Sequence, residues 1–232
     1  KNSDAYLPYL ARSCNNLADL LCNTGFFKES EELYREALKV YRSLAEKNPD
    51  AYLPDLALSC SNLASLLQDV HSFKEAEKLH REALKIRRDL AEKNPDVYLP
   101  SLAISCNNLA YLLSDTGSSK EAEELYREAL KICSDLAEKN SDAYLPYLAR
   151  SCNNLAYLLS DIGSFKEAEE LYREALKIRR NLAEENPKVY LPKLQLVCDN
   201  LTALLEKTGR REEADSLRRE VAEFYQKQLA QQ

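Results

Sequence analysis

The sequence predicts an all-α protein, an α-solenoid of about five antiparallel helix hairpins. Three observations carry this. The string YLP recurs at Tyr6, Tyr52, Tyr98, Tyr144 and Tyr190, always 46 residues apart. All 4 glycines and all 8 prolines fall on the same step. Within each copy the apolar residues advance by threes and fours, the period of a helix, and no alternating strand pattern occurs. One hairpin cannot bury both faces of its helices, whereas stacked neighbours bury them in turn.

Each copy opens with a helix. In the first copy Leu10, Cys14, Leu17, Ala18 and Leu21 form one apolar stripe. A turn at 23–26 ends it, with Gly25 supplying the positive φ that a helix C-cap favours. Gly117, Gly163 and Gly209 take the same slot, and His71 occupies it in the second copy. His tolerates the left-handed region better than most residues. The second helix carries Leu33, Tyr34, Ala37, Leu38 and Tyr41 inward. Its outer side pairs Glu31 with Arg35, Glu77 with Arg81, Glu123 with Arg127, Glu169 with Arg173 and Asp215 with Arg219 at i,i+4, a solvated face of small energetic weight. The link Asn48-Pro49-Asp50 has turn chemistry. Pro54 suits a first helical turn and would be costly in mid-helix, so each first helix is expected to start between Asp50 and Pro54 or their equivalents.

The array is expected to span 1–232 with repeats at about 1–46, 47–92, 93–138, 139–184 and 185–232. In the last copy Arg211, Arg218 and Val221 replace Phe, Tyr and Ala, the polar drift of a C-terminal cap. Lys1 aligns with Lys139 in the tail of a second helix, so the chain is expected to be a fragment with a repeat or domain upstream. The first-helix face at 5–21 would then be bare, which invites end-to-end self-association.

Composition narrows the function. Of the 232 residues 45% are hydrophobic and 30% charged, enough to build a core. No apolar run approaches the ~20 residues of a membrane span. The net charge of −6 argues against nucleic acid. No apolar leader supports secretion, and a reducing, cytoplasmic location is expected. Every Gly is a turn Gly, so no phosphate loop is present. The carboxylates recur on a periodic solvated face rather than in contrasted pockets, and both His replace template residues. No catalytic residue, metal site or cofactor is expected.

The string NNLAYLLSDTGSSKEAEELYREALKI resembles a tetratricopeptide repeat. Leu17, Ala18, Leu21, Gly25, Phe27, Ser30, Tyr34 and Ala37 sit where that motif of about 34 residues has its packing positions. The repeat here is longer, and its bulky fourth position is Cys. NNLA followed by EAE and REAL is similar to the long-helix subclass of kinesin light chains and prokaryotic arrays. The resemblance implies a right-handed superhelix whose concave face, lined by first helices, grips peptides or partner proteins.

Cys14, Cys60, Cys106, Cys152 and Cys198 share one slot of that repeat. Equivalent sites on neighbouring helices lie at least 8–10 Å apart, beyond the roughly 7 Å that a disulfide spans. Buried free thiols are the expectation, with Cys22 and Cys133 out of register and Cys22 open to exposure.

On the side that the resemblance makes concave, Asn recurs without exception at Asn16, Asn62, Asn108, Asn154 and Asn200. An amide that both donates and accepts matches a peptide unit. The row is similar to the asparagine ladder of the O-GlcNAc transferase superhelix. Two readings stay open: recognition of a ligand backbone, or bonding between repeats. Nearby slots vary, with Tyr111 and Tyr157 as either anchors or packing groups and Asp69, Asp115 and Asp161 at the helix ends. The basic clamp of chaperone adaptors is absent from its slots, and so is the basic groove of kinesin light chains. Counting Asp19, Asp69, Asp115, Asp161, Asp199 and Glu206 against Arg12, Arg150 and Lys207 gives an acidic face, which predicts a neutral to basic peptide ligand. The expected function is a protein-interaction scaffold. The alternatives are a structural or oligomerising spacer, or the sensor arm of a larger effector.

Overall fold

The computed structural model describes residues 6–230. Among them are ten helices and no strand: α1 (Leu7–Asn23), α2 (Phe27–Lys47), α3 (Pro49–Asp69), α4 (Phe73–Lys93), α5 (Pro95–Asp115), α6 (Ser119–Lys139), α7 (Ser141–Asp161), α8 (Phe165–Glu185), α9 (Pro187–Lys207) and α10 (Arg211–Ala230). They fall into two compact units, Lys1–Ser118 and Ser119–Gln232. In the first, each helix from α1 to α5 packs on the next, and α1, α3 and α5 also touch in series. In the second, α6 to α10 pack in order and α7 touches α9. This is the stacking of a solenoid.

The turns follow from the glycine slot. Gly25 has φ +86°. Behind it the Phe26 amide bonds the Leu21 carbonyl at 2.9 Å and the Gly25 amide bonds that of Cys22 at 3.0 Å, the paired closure of a Schellman cap. His71 makes the same turn at φ +61°.

The helix starts differ from expectation. α3, α5 and α9 begin at Pro49, Pro95 and Pro187, ahead of Asp50, Asp96 and Lys188, so Pro54, Pro100 and Pro192 lie inside them. Pro54 leaves only the Asp50 carbonyl without its helical donor, in an exposed first turn where water replaces it. The Asn48 side chain accepts from the Ala51 amide at 3.4 Å, and Asn140 does the same for Ala143 at 3.2 Å; Asn94 and Asn186 make no such bond, so the early start of α5 and α9 rests on Pro95 and Pro187 at the first helical position. In α1, Pro8 is in the first turn as expected.

The core is built on Cys, Ala, Leu and Tyr. Cys60, Cys106, Cys152 and Cys198 are fully buried and Cys14 nearly so; no described cysteine is bridged. Cys133 is buried as well, donated to by the Ser151 hydroxyl at 3.5 Å, leaving Cys22 as the half-exposed thiol. Tyr6 ahead of α1 and Tyr9, Leu10, Leu17 and Leu20 on it are exposed, whereas Cys14 is not. Cys14 shares its stripe with Ala11 and Ala18, and helical steps turn Leu10 and Leu17 to the adjoining face.

The outer face holds a network that local spacing did not disclose. Four i,i+4 pairs form as expected, but Arg219 bonds the Asp215 backbone carbonyl instead of its carboxylate. Arg35 and Arg127 each also reach the next second helix, bonding Glu75 at 2.7 Å and Glu167 at 2.6 Å. Arg42–Glu82, Arg173–Glu213 and Arg180–Glu220 repeat the contact. In the last copy Arg218 pairs with Glu206 at 2.7 Å, so the polar residue at the Tyr slot is tied down at the surface.

Candidate peptide-binding face

In the first unit, the exposed stripe of the first helices carries Arg12, Asn16 and Asp19 on α1, Asn62 and Asp69 on α3, and Asn108, Tyr111 and Asp115 on α5. Asn16 is exposed, and Asn62 and Asn108 are half-buried. No described group hydrogen-bonds their side-chain amides. Tyr111 is 54% exposed at the surface beside Asn108. Asp19 is tied back by the Tyr34 hydroxyl, which donates to it; burial and this bond push the Tyr34 pKa up. The neighbouring Asn slot serves the fold instead. Asn15 donates to the Ser59 hydroxyl at 2.9 Å across repeats, and Asn107 donates to the Ala103 carbonyl at 2.9 Å.

In the second unit, α7 presents Arg150, Asn154, Tyr157 and Asp161, and α9 presents Asn200. Tyr157 is 58% exposed. Here the ladder is partly stitched to itself. Asn200 donates to Asn153 at 3.0 Å, and Asn153 donates to Asn154 at 3.5 Å. At Asn200 the inter-repeat role therefore applies. Lys207, counted among the free cations of the face, donates to the Ser160 carbonyl at 2.9 Å and lies over the Phe165 ring.

A cavity of about 740 Å³ opens between α7, α8 and α9. Arg150, Arg179, Lys193, Tyr147 and Tyr190 line it, with Asp142 as its one acid. Arg179 comes from a second helix and Lys193 from the first turns of α9, and the charge count taken from the sequence includes neither. Their inclusion makes this part of the face cationic, opposite to the balance over all copies. The readable signal is the slot series itself: residues 12, 41 and 55 are Arg, Tyr and Asp in the first copies, but their equivalents 150, 179 and 193 are all cations.

Among the described residues no cluster of His, Cys, Asp and Glu could hold a metal ion, and no helix is long and apolar enough to cross a membrane.

The fold and its recurring face define a helical-repeat protein, and comparison gives the family. The chain belongs to the tetratricopeptide repeat family, whose model matches residues 9–89, 55–135 and 103–181. Among solved structures it is similar to BtubC (BKLC) from P. vanneervenii, 26% identical over 94% of this chain and 80% of that one, with a TM-score of 0.75. It is also similar to a putative kinesin light chain from Podosopora anserina with nearly identical TPR-like repeats, 22% identical over 97% and 98% of the two chains, TM-score 0.72. The Rap conjugation gene regulator of the plasmid pLS20, in complex with the Phr* peptide, shares 18% identity over 90% of this chain and 52% of its own, TM-score 0.61. A search of curated proteins finds no match.

Proposed function

We propose that the chain is a protein-interaction scaffold that holds an extended peptide segment against the exposed faces of its first helices. One observation carries this reading: the amides of Asn16, Asn62 and Asn108 recur at one slot, stand at the surface and have no described partner. A side chain kept at this slot through the first three copies without a bond of its own is placed to pair with the N–H and C=O of a ligand backbone. Tyr111, exposed beside Asn108, offers an aromatic contact of the kind enriched at binding hot spots. The peptide complex of the Rap regulator supports the class of ligand by analogy of fold. On the first unit Asp19, Asp69 and Asp115 outweigh Arg12, so the segment lying there is neutral to basic.

The test is an arrayed library of unstructured peptides probed with the full chain and with an Asn16/Asn62/Asn108→Ala variant. Peptides bound by the first should lose roughly tenfold in affinity per amide removed, since an unmade hydrogen bond costs about 1–2 kcal/mol. Undiminished binding by a variant of unchanged helicity and melting temperature refutes the reading.

A second reading, self-association, is favoured by one feature: Tyr9, Leu10, Leu17 and Leu20 are exposed on α1, with Tyr6 exposed just ahead of it. Light scattering should then show mass rising with concentration, and a Leu10/Leu17→Lys variant should abolish the rise. A constant monomer mass for the unaltered chain eliminates it.

A further inference from the structure

We infer that the cavity between α7, α8 and α9 is a carboxylate-binding subsite, and that it takes an Asp or Glu side chain of an acidic peptide. Since Arg150 and Asn154 belong both to this cavity and to the proposed peptide face, the inference rests on that reading and specifies the ligand for the second unit.

The first support is an orphaned charge. Arg179 is only 6% exposed. One end of its guanidinium is anchored, Nη2 donating to the Pro146 carbonyl at 3.0 Å. The other end, Nη1, is buried without a partner, and so is Nε of Arg150. No described carboxylate pairs with either, nor with Lys193. Buried polar groups are overwhelmingly satisfied, and a buried cation without a counter-ion is among the costliest exceptions. The pKa of Arg179 is pushed down, first by burial and then by the charge of Arg150, with Tyr190 opposing. Two guanidinium groups thus share one cavity whose single acid, Asp142 at the rim, pairs with neither.

The surroundings offer only partial relief. Arg150 lies 5.5 Å from the Tyr147 ring centre, and Arg179 and Lys193 lie 5.8 and 5.2 Å from that of Tyr190. These ring faces stabilise the cations in place without neutralising them. They also leave apolar walls for the aliphatic stem of an acidic side chain.

The equivalent positions elsewhere explain why only this one is a candidate. In the first copy Tyr41 fills the slot of Arg179 and its hydroxyl reaches the equivalent carbonyl, Pro8, at 3.5 Å. That tether uses the only polar atom of the side chain. Arg87, in the second copy, spends Nη1 on the hydroxyls of Ser61 and Ser105. Its partners in the slot series are Leu58 and Ser101 rather than cations. At Arg179 the same tether leaves donors over, and two further cations converge on them.

A carboxylate fits better than a phosphate. A guanidinium edge pairs with either in two parallel hydrogen bonds, so charge decides. Asp142 at the rim adds a negative charge that opposes a dianion more than a monoanion.

The test is an NMR titration of the full chain at low salt with three probes: N-acetylated, C-amidated triglutamate, its triglutamine counterpart, and inorganic phosphate. The expected result is saturable shifts at Tyr147, Arg150, Tyr190 and Lys193 with triglutamate, at least tenfold weaker with triglutamine and with phosphate. Arg179→Tyr, which restores the residue of the first copy and its tether, should weaken triglutamate binding at least tenfold while leaving the melting temperature unlowered. Arg179→Lys should recover part of it. Equal binding of triglutamate and triglutamine, phosphate as the tightest probe, no saturable shift, or an Arg179→Tyr variant that binds as before each overturn the inference. Asn16/Asn62/Asn108→Ala separates the two claims. If library peptides bind the first unit through those amides but triglutamate is not preferred over triglutamine, the subsite fails and the scaffold stands. If triglutamate binds through Arg179 but no library peptide depends on the Asn amides, the scaffold reading fails instead.

Discussion

His80 should make this protein sensitive to mild acid, by an amount that can be worked out. It fills a slot where other copies have Tyr34, Tyr126 and Tyr172, and only 2% of it is exposed. Its Nε2 is buried without a partner. Burial, and then the charge of Arg87 nearby, lower its pKa from 6.5 to about 4. In the unfolded chain the imidazole takes a proton near pH 6.5; in the folded chain it resists until about pH 4. The unfolded state therefore binds more protons in that window, and stability falls as pH drops through it. The contribution is complete above pH 6.5 and lost progressively toward pH 4. With one pKa unit equal to about 1.4 kcal/mol, His80 removes about 2 kcal/mol between pH 7 and pH 5 and about 3 kcal/mol by pH 4. Urea unfolding at pH 7 and pH 5, followed by far-ultraviolet circular dichroism, should show that loss in the unaltered chain beyond whatever His80→Tyr shows. The Tyr variant carries the residue of three other copies and should fold. Equal pH dependence of the two proteins, or an imidazole titrating near 6.5 in the folded state, would refute the reasoning.

Three further outcomes are expected. Native thiol labelling should modify Cys22 first, by its exposure alone since burial and the charges of Asp69 and Asp19 raise its thiol pKa too, and the other six only on unfolding, burial raising Cys60 to about 12 and Cys198 to about 11; rapid labelling of Cys133 would contradict its placement. The Arg127–Glu167 pair should show a coupling of about 0.5–1 kcal/mol in a double-mutant cycle, shrinking with salt. Because Arg127 holds the Glu167 carboxyl below its usual pKa, that coupling is fully present above about pH 4.5 and disappears as pH falls below it; a salt-insensitive coupling would speak against an exposed ion pair. Gly163→Ala should cost about 1–2 kcal/mol in urea titration, since φ is +89° and an added Cβ meets nothing within 4 Å; a neutral result would mean that the turn relaxes out of the left-handed region.

The repeat made most of the fold legible. Gly25 and its equivalents, the Cys slot, and the Ala and Leu stripes state where helices run, turn and bury, because these depend on local conformation and on a period that each copy repeats. The starts of the first helices were less legible, and they lie earlier than proline chemistry alone suggests. A proline usually resists a helical interior, but its cost falls to one water-exposed carbonyl when it stands this close to the helix start, as Pro54, Pro100 and Pro192 do. Of the candidate site, the surface standing of Asn16, Asn62, Asn108, Tyr111 and Tyr157 followed from helical geometry. The bond that commits Asn200 to Asn153, and the cations that Arg179 and Lys193 bring beside Arg150, did not.

By itself, then, the sequence determined whatever one repeat can decide alone: helical period, the left-handed turn at Gly25 and His71, and the choice of Cys as a small buried side chain. Tertiary structure decided what requires a neighbour. Arg35 meets Glu75 and Arg127 meets Glu167 only because stacking brings successive second helices within reach of a long side chain. Arg179 is orphaned only because α7 and α9 enclose it without pairing an acid with it, Asp142 of α7 standing at the rim. Such contacts depend on how two helices approach, and a side chain several bonds long, such as Arg or Lys, reaches a different partner for each approach. Spacing along one chain segment cannot rank those partners; the packed geometry does.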